Sequence, residues 1–233
     1  MVQSQNVTFP SGNTQRPAYL ARPDGDGTFP GVIVIHEIFG LNENIKDIAR
    51  RFASEGYVAL AVDLFAERNK VICMFRVLGE QLFSSLDNAS ISELKAALSY
   101  LASQPGVDSN RIGAVGYCMG GGLAIAWAST DDRLHAIAPY YGANPRPLDA
   151  TARACPVVGS YPDKDFTTSQ GKKLDAVLTQ ANIPHDIKIY PNSRHSFFND
   201  QRSAYDPPAA ADSWERVLAF FGERLATPHP SNP

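Results

Sequence analysis

From residue 31 onward, short continuous apolar runs alternate with stretches whose apolar residues recur at helical spacing. Gly31–His36 (GVIVIH) and Tyr57–Val62 (YVALAV) carry no polar alternation, so each predicts a strand buried on both faces. Between them, Asn42–Ser54 places Ile45, Ile48, Ala49 and Phe52 on one helical face, and Gly56 stops that helix. Ser90–Ser103 repeats the pattern with Ile91, Leu94, Ala97, Leu98 and Leu101, closed by Pro105 and Gly106. A strand at Arg111–Gly116 then leads into a helix from about Met119 to Ser129. Further strands are expected at Leu134–Pro139, Pro156–Gly159 and His185–Tyr190, with helices at Gln170–Ala181 and Ala209–Leu225. The residues up to Arg22, with Val7, Phe9, Tyr19 and Leu20, predict antiparallel edge strands. Residues 64–89 are the least legible stretch, with one helix expected over Val71–Phe83.

Repeated strand–helix units of this length predict an α/β fold: one mostly parallel, doubly wound sheet flanked by helices. The 233 residues, 44% of them apolar, suit a single domain over residues 1–226. The proline-rich tail 227–233 is expected to be disordered. A net charge of −3 gives no reason to expect nucleic acid or an anionic membrane as partner. No apolar run approaches the roughly 18 residues of a membrane span. The first residues lack the basic and apolar regions of a signal peptide. Three cysteines without a CxxC pair argue against a disulfide framework and suit a reducing cytoplasm.

The chemistry concentrates at Gly116-Tyr117-Cys118-Met119-Gly120. The predicted strand ends there and a helix begins just after, so Cys118 occupies the turn of a Gly-x-nucleophile-x-Gly elbow. A sharp strand-to-helix turn crowds its flanks, which is why glycine stands on both sides. The turn also puts the thiol at a helix N-terminus, where dipole and N–H groups favour a thiolate. An inert buried cysteine is the alternative for Cys118, and the expected reading for Cys73 and Cys155.

Such a nucleophile needs a base and an orienting acid, which in this fold follow it in the order carboxylate, then histidine. Of the four later histidines, His135 and His185 open strands, at the wrong rim of the sheet, and His229 lies in the tail. His195 follows a strand's end and is the candidate base. Asp163 and Asp165 both follow the strand at Pro156–Gly159, and spacing alone does not separate them.

His36-Glu37-Ile38-Phe39-Gly40, the elbow, and Tyr190-Pro191-Asn192-Ser193-Arg194-His195-Ser196-Phe197 together resemble the dienelactone hydrolase family. The resemblance runs from about residue 18 to 222 and implies an α/β-hydrolase fold. It implies Cys118 as nucleophile, His195 as base and, from Lys164-Asp165, Asp165 as acid. It further implies that Glu37 activates the thiol, that the backbone N–H groups of Ile38 and Met119 form the oxyanion hole, and that arginines hold a substrate carboxylate. Glu37 could instead pair with a nearby arginine. Arg76 matches one of the carboxylate arginines, or is simply a solvated helix residue. At the position of the second, four residues after His195, stands Asn199; Arg194 and Arg202 are the nearby candidates to compensate.

A thiolate is a better leaving group than an alkoxide, so it predicts activated acyl substrates such as enol lactones, enol esters and thioesters. The sequence therefore reads as a hydrolase of lactones or activated esters, and the resemblance implies a place in aromatic-compound degradation. A broader carboxylesterase or thioesterase, or a non-catalytic ligand binder, are the alternatives. No metal or organic cofactor is called for, and a monomer or small homo-oligomer is expected.

Overall fold

The computed structural model describes residues 1–65, 75–77, 79–80 and 86–226. One eight-stranded sheet organises them, in the order β1-β2-β4-β3-β5-β6-β7-β8. The strands are β1 (Val2–Ser11), β2 (Thr14–Pro23), β3 (Phe29–Ile35), β4 (Val58–Val62), β5 (Val107–Tyr117), β6 (Ala136–Tyr140), β7 (Val157–Lys164) and β8 (His185–Arg194). The pairings β1–β2 and β2–β4 are antiparallel, and all others are parallel. The expected antiparallel ribbon is therefore present, with β1 at the edge and β2 joined to β4.

The continuous apolar runs have a simple cause. Ile33 and Ile35 of β3 enter one core layer while Val32 and Val34 enter the other, and β4 splits likewise between Leu60 and Ala59 or Ala61. One face carries α2 (Ala89–Ala102), α3 (Met119–Ala128) and α4 (Thr168–Gln180). The opposite face carries α1 (Glu43–Ser54) and α5 (Pro207–Arg224). Helix starts are set by side chains: Asn42 accepts from the Ile45 N–H at 3.1 Å, and Asn88 from the Ile91 N–H at 2.9 Å. Such caps contribute about 1 kcal/mol each.

Strands β5, β7 and β8 are longer than their apolar cores suggest. In β7 and β8, pairing continues through polar residues as far as Lys164 opposite Arg194, after a register shift between Pro162 and Lys164. A short 3-10 turn at Leu148–Arg153 had no signal in the apolar pattern. The helix expected over Val71–Phe83 lies largely outside the described residues; within it, residues 75–77, 79 and 80 are helical. Cys73 and the tail 227–233 also lie outside them. No helix among the described residues is long and apolar enough to cross a membrane.

The chain crosses the sheet at β3: β4 lies on one side of it and β5 on the other. In an open parallel sheet, such a switch point leaves a crevice beyond the strands' C-terminal ends. Glu37, Cys118, Asp165 and His195 all follow such ends.

Candidate active site

Cys118 sits between β5 and α3 with φ 54° and ψ −114°, a conformation an L-residue holds only when its surroundings force it. Its N–H donates to the Tyr140 carbonyl at 3.0 Å, and its own carbonyl accepts from the Gly122 N–H at 3.1 Å. The flanking glycines allow the turn: a Cβ on Gly116 would strike the backbone of Gly120, and one on Gly120 would strike the carbonyls of Ile35 and His36. The elbow thus packs backbone to backbone against the end of β3.

His195 begins the loop after β8. Its Nδ1–H donates to Asp165 Oδ2 across 2.6 Å. Because Lys164 pairs with Arg194, the next residue of each strand, Asp165 and His195, emerges beside the other. Asp163 is exposed on the β7 extension and takes no part in this contact. Burial by itself would raise the Asp165 carboxyl, but hydrogen bonds from His195 and Thr167 hold it below the usual carboxylate range. For His195, burial opposes protonation, yet hydrogen bonding to Asp165 and Cys118 prevails and lifts the imidazole to about 10. Phe166 stacks on the imidazole with centroids 5.4 Å apart and planes 18° from parallel, although its own side chain is exposed. Cys155 contrasts with Cys118: burial pushes its thiol up to about 12, which suits an inert filler.

Glu37 is buried, and its two oxygens accept from Ser196 Oγ at 2.9 Å and Asn199 Nδ2 at 2.8 Å. Among the described residues no arginine or lysine pairs with it. His36 fixes the backbone beside it. Its Nδ1 donates to the Glu37 carbonyl at 2.6 Å, and its Nε2 accepts from the Leu64 N–H at 3.1 Å, an arrangement that requires the neutral Nδ1–H tautomer. Ile38 follows in this loop, and Met119 opens α3 directly after Cys118.

Tyr141 was not singled out by the sequence. It is buried, its ring lies 4.9 Å from that of His195, and burial together with the charges of Glu37 and Cys118 pushes its phenol well up. Ser196 and Asn199 were likewise unrecognised as partners of Glu37. Their only signal was their position in the loop that carries His195.

In front of Cys118 lies a cavity of about 500 Å³ with a mostly apolar wall that includes Met119, Ala126, Tyr141, Leu148 and Phe166. Arg76 is not among its lining residues. Its guanidinium lies 3.4 Å from Glu93 and 3.8 Å from Glu80, on the α2 side. Of the two nearby arginines, Arg202 lies 3.7 Å over the Phe39 ring, beside the Ile38 loop, and Arg194 is exposed. Asn199 is turned to Glu37 and is buried there.

The sequence profile of the dienelactone hydrolase family matches residues 17–225. The chain belongs to this family. A provisionally named carboxymethylenebutenolidase of Saccharolobus solfataricus is 34% identical over 256 aligned residues, covering 93% of this chain and 97% of the relative. A provisionally named dienelactone hydrolase from Klebsiella pneumoniae has a similar solved structure. Its TM-score is 0.83 at 31% identity, covering 96% of this chain and 99% of that one. A dienelactone hydrolase-like promiscuous phosphotriesterase from metagenomic libraries gives a TM-score of 0.84 at 25% identity, covering 96% and 98%. Like its family, this dienelactone hydrolase homologue has the α/β-hydrolase fold and is a hydrolase acting on esters or lactones.

Proposed function

We propose that the protein opens lactones or activated esters through a thioester on Cys118, with His195 as acid and base, Asp165 orienting it, and Glu37 taking the thiol proton. The observation that carries this reading is the 2.6 Å contact between His195 and Asp165 beside a cysteine held on the elbow. Against the effect of burial, the bond to Asp165 raises the His195 imidazole and favours its protonated form, the acid that the leaving group needs. Glu37 is then the available acceptor: each of its oxygens has a lone pair beyond the bond it already accepts.

The steps follow from this assignment. As substrate enters, the Cys118 thiol passes its proton to Glu37, and sulfur attacks the carbonyl carbon. The carbonyl electron pair moves onto oxygen, where the N–H groups of Ile38 and Met119 stabilise it, an effect typically worth about 3 kcal/mol. The C–O bond of the ester then breaks, and the leaving oxygen takes the proton of His195. Neutral His195 next removes a proton from water, the hydroxide attacks the thioester, and the sulfur leaves, taking its proton back from Glu37. Asp165 holds the imidazole in the required tautomer and stabilises its cation.

Sulfur leaves more readily than an alkoxide, so the forward path is favoured for enolate, phenolate and thiolate leaving groups. Dienelactone-like substrates of aromatic-compound degradation fit this requirement. The apolar cavity supports a second reading, a broader carboxylesterase or thioesterase. Rates on a dienelactone, p-nitrophenyl acetate and an acyl thioester rank the two.

The test of the common mechanism is a covalent adduct. Rapid quench with an activated ester followed by intact mass should show one acyl group on the wild-type protein and none on Cys118→Ala. Turnover by Cys118→Ala within a few-fold of wild type would remove the proposal.

A further inference from the structure

The cavity in front of Cys118 has an uneven distribution of charge. Its floor is built from α3, where Met119, Gly122 and Ala126 follow one another along one face, and its wall carries Tyr141 and Phe166. Among the described residues two charged side chains line it, Arg146 and Lys173, and no carboxylate does. Both are exposed. Lys173 stands one turn beyond Gln170 on α4, while Arg146 follows the Asn144–Pro145 segment. The two segments are tied together: Asn144 Nδ2 donates to the Gln170 carbonyl at 2.8 Å, and the Asn144 N–H donates to Gln170 Oε1 at 3.3 Å. The cations therefore stand on two elements joined by this clasp.

We infer that Arg146 and Lys173 form an anion subsite of this cavity. It takes substrates whose reacting carbonyl is separated by an apolar segment from a carboxylate or similar anionic group. The inference rests on the hydrolase reading above and deepens it. The two arginines expected to hold a carboxylate are not in the cavity: Arg76 is engaged with Glu93 and Glu80, and the second position is Asn199, bonded to Glu37. Cationic side chains on an apolar wall attract an anion while the wall holds its stem. Because both are exposed, this attraction is screened by salt.

The experiment compares p-nitrophenyl hydrogen adipate, which carries the carboxylate on the acyl side, 4-carboxyphenyl hexanoate, which carries it on the leaving group, and p-nitrophenyl hexanoate, which is neutral. For whichever anionic ester is favoured, kcat/KM relative to the neutral ester should fall about tenfold in the double variant Arg146→Gln, Lys173→Gln. The loss should appear in KM, and the preference should shrink as salt is raised. Lys172→Gln, an exposed neighbour outside the cavity, should leave the ratio unchanged and so controls for net charge. Equilibrium binding of the two p-nitrophenyl esters to Cys118→Ala gives a readout independent of turnover. If the double variant keeps the wild-type ratio and binding difference, the subsite is refuted, while loss of turnover in Cys118→Ala still supports the hydrolase reading. If turnover is independent of Cys118, that reading fails, and the binding difference alone decides the subsite.

Discussion

Asn199 Nδ2 donates to Glu37 Oε2 across 2.8 Å, inside a region where both residues are almost fully buried. The position four residues after the catalytic-histidine candidate thus serves the buried glutamate with a neutral donor, not a cation. Ser196 supplies the other oxygen in the same manner. A carboxylate so held is satisfied by hydrogen bonds yet keeps lone pairs for a further proton.

Removing one of these donors should be costly. Asn199→Leu leaves Glu37 Oε2 buried without a partner and should destabilise the fold by about 1–3 kcal/mol. Combined with Glu37→Ala, the same change should cost much less, because the group it stranded is gone. Chemical denaturation of the four proteins in the cycle measures the coupling. Simple additivity would show that the contact contributes nothing of its own.

Glu37→Gln should slow acylation by about a hundredfold while leaving hydrolysis of the preformed thioester closer to wild type. The amide cannot accept the thiol proton in the same way. Stopped-flow release of p-nitrophenolate separates the two phases, and near-normal acylation would remove Glu37 from thiol activation.

Asp165→Asn should lower kcat about 10³–10⁴-fold, since the imidazole loses both its orienting acceptor and its cation's partner. The same bond predicts a pH dependence of stability. His195 is raised from 6.5 to about 10 in the fold, so its contribution is fully present below pH 6.5 and is lost as pH rises toward 10. Stability of the wild type should therefore decline across that window, and the decline should be smaller in Asp165→Asn and His195→Gln. NMR titration of the imidazole in the Asp165→Asn protein should show its pKa well below about 10. An unchanged value would assign the shift to another group.

Gly120→Ala should prevent the elbow from closing. The added carbon meets two backbone carbonyls at the end of β3, which no side-chain rotation can relieve. The cost should exceed the usual 1–3 kcal/mol of overpacking. Gly222→Ala, on α5 with nothing near the added carbon, is the matched control and should retain the wild-type melting temperature within a few degrees. Equal melting temperatures for the two variants would mean that the turn has room the packing does not show.

The parts of this molecule legible in its sequence are those governed by local repetition. Strands β3 and β4 were readable because both faces of the sheet are covered, and α1 because Ile45, Ile48 and Phe52 share a stripe. Cys118 was readable because its turn demands glycine within two residues on either side. Asp163 and Asp165 were not separable by spacing, because Ser160–Lys164 continues β7 by pairing with β8, and only that pairing determines which carboxylate meets His195. The partners of Glu37 were illegible for a related reason. Ser196 and Asn199 lie 159 and 162 positions away and meet it only once the sheet is assembled. Arg76 shows the converse: its distance along the chain from Cys118 gave no sign of Glu93, which engages it.

The pairing of Lys164 with Arg194 also divides the candidate site by mechanical security. Cys118 hangs from β5, flanked by strands on both sides, whereas His195 hangs from β8, the outermost strand, bonded to the sheet on one side alone. Contacts to α5 buttress that strand: Lys188 and Tyr190 bond Asp212, and Arg216 bonds Asp186 and the Tyr190 hydroxyl. Edge strands open at lower free energy than central ones. Fraying of β8 alone would carry the histidine away while the cysteine stayed in place. Esterase activity should then vanish at denaturant concentrations where the rest of the sheet still protects its amides from exchange, making catalysis a gauge of one strand's attachment.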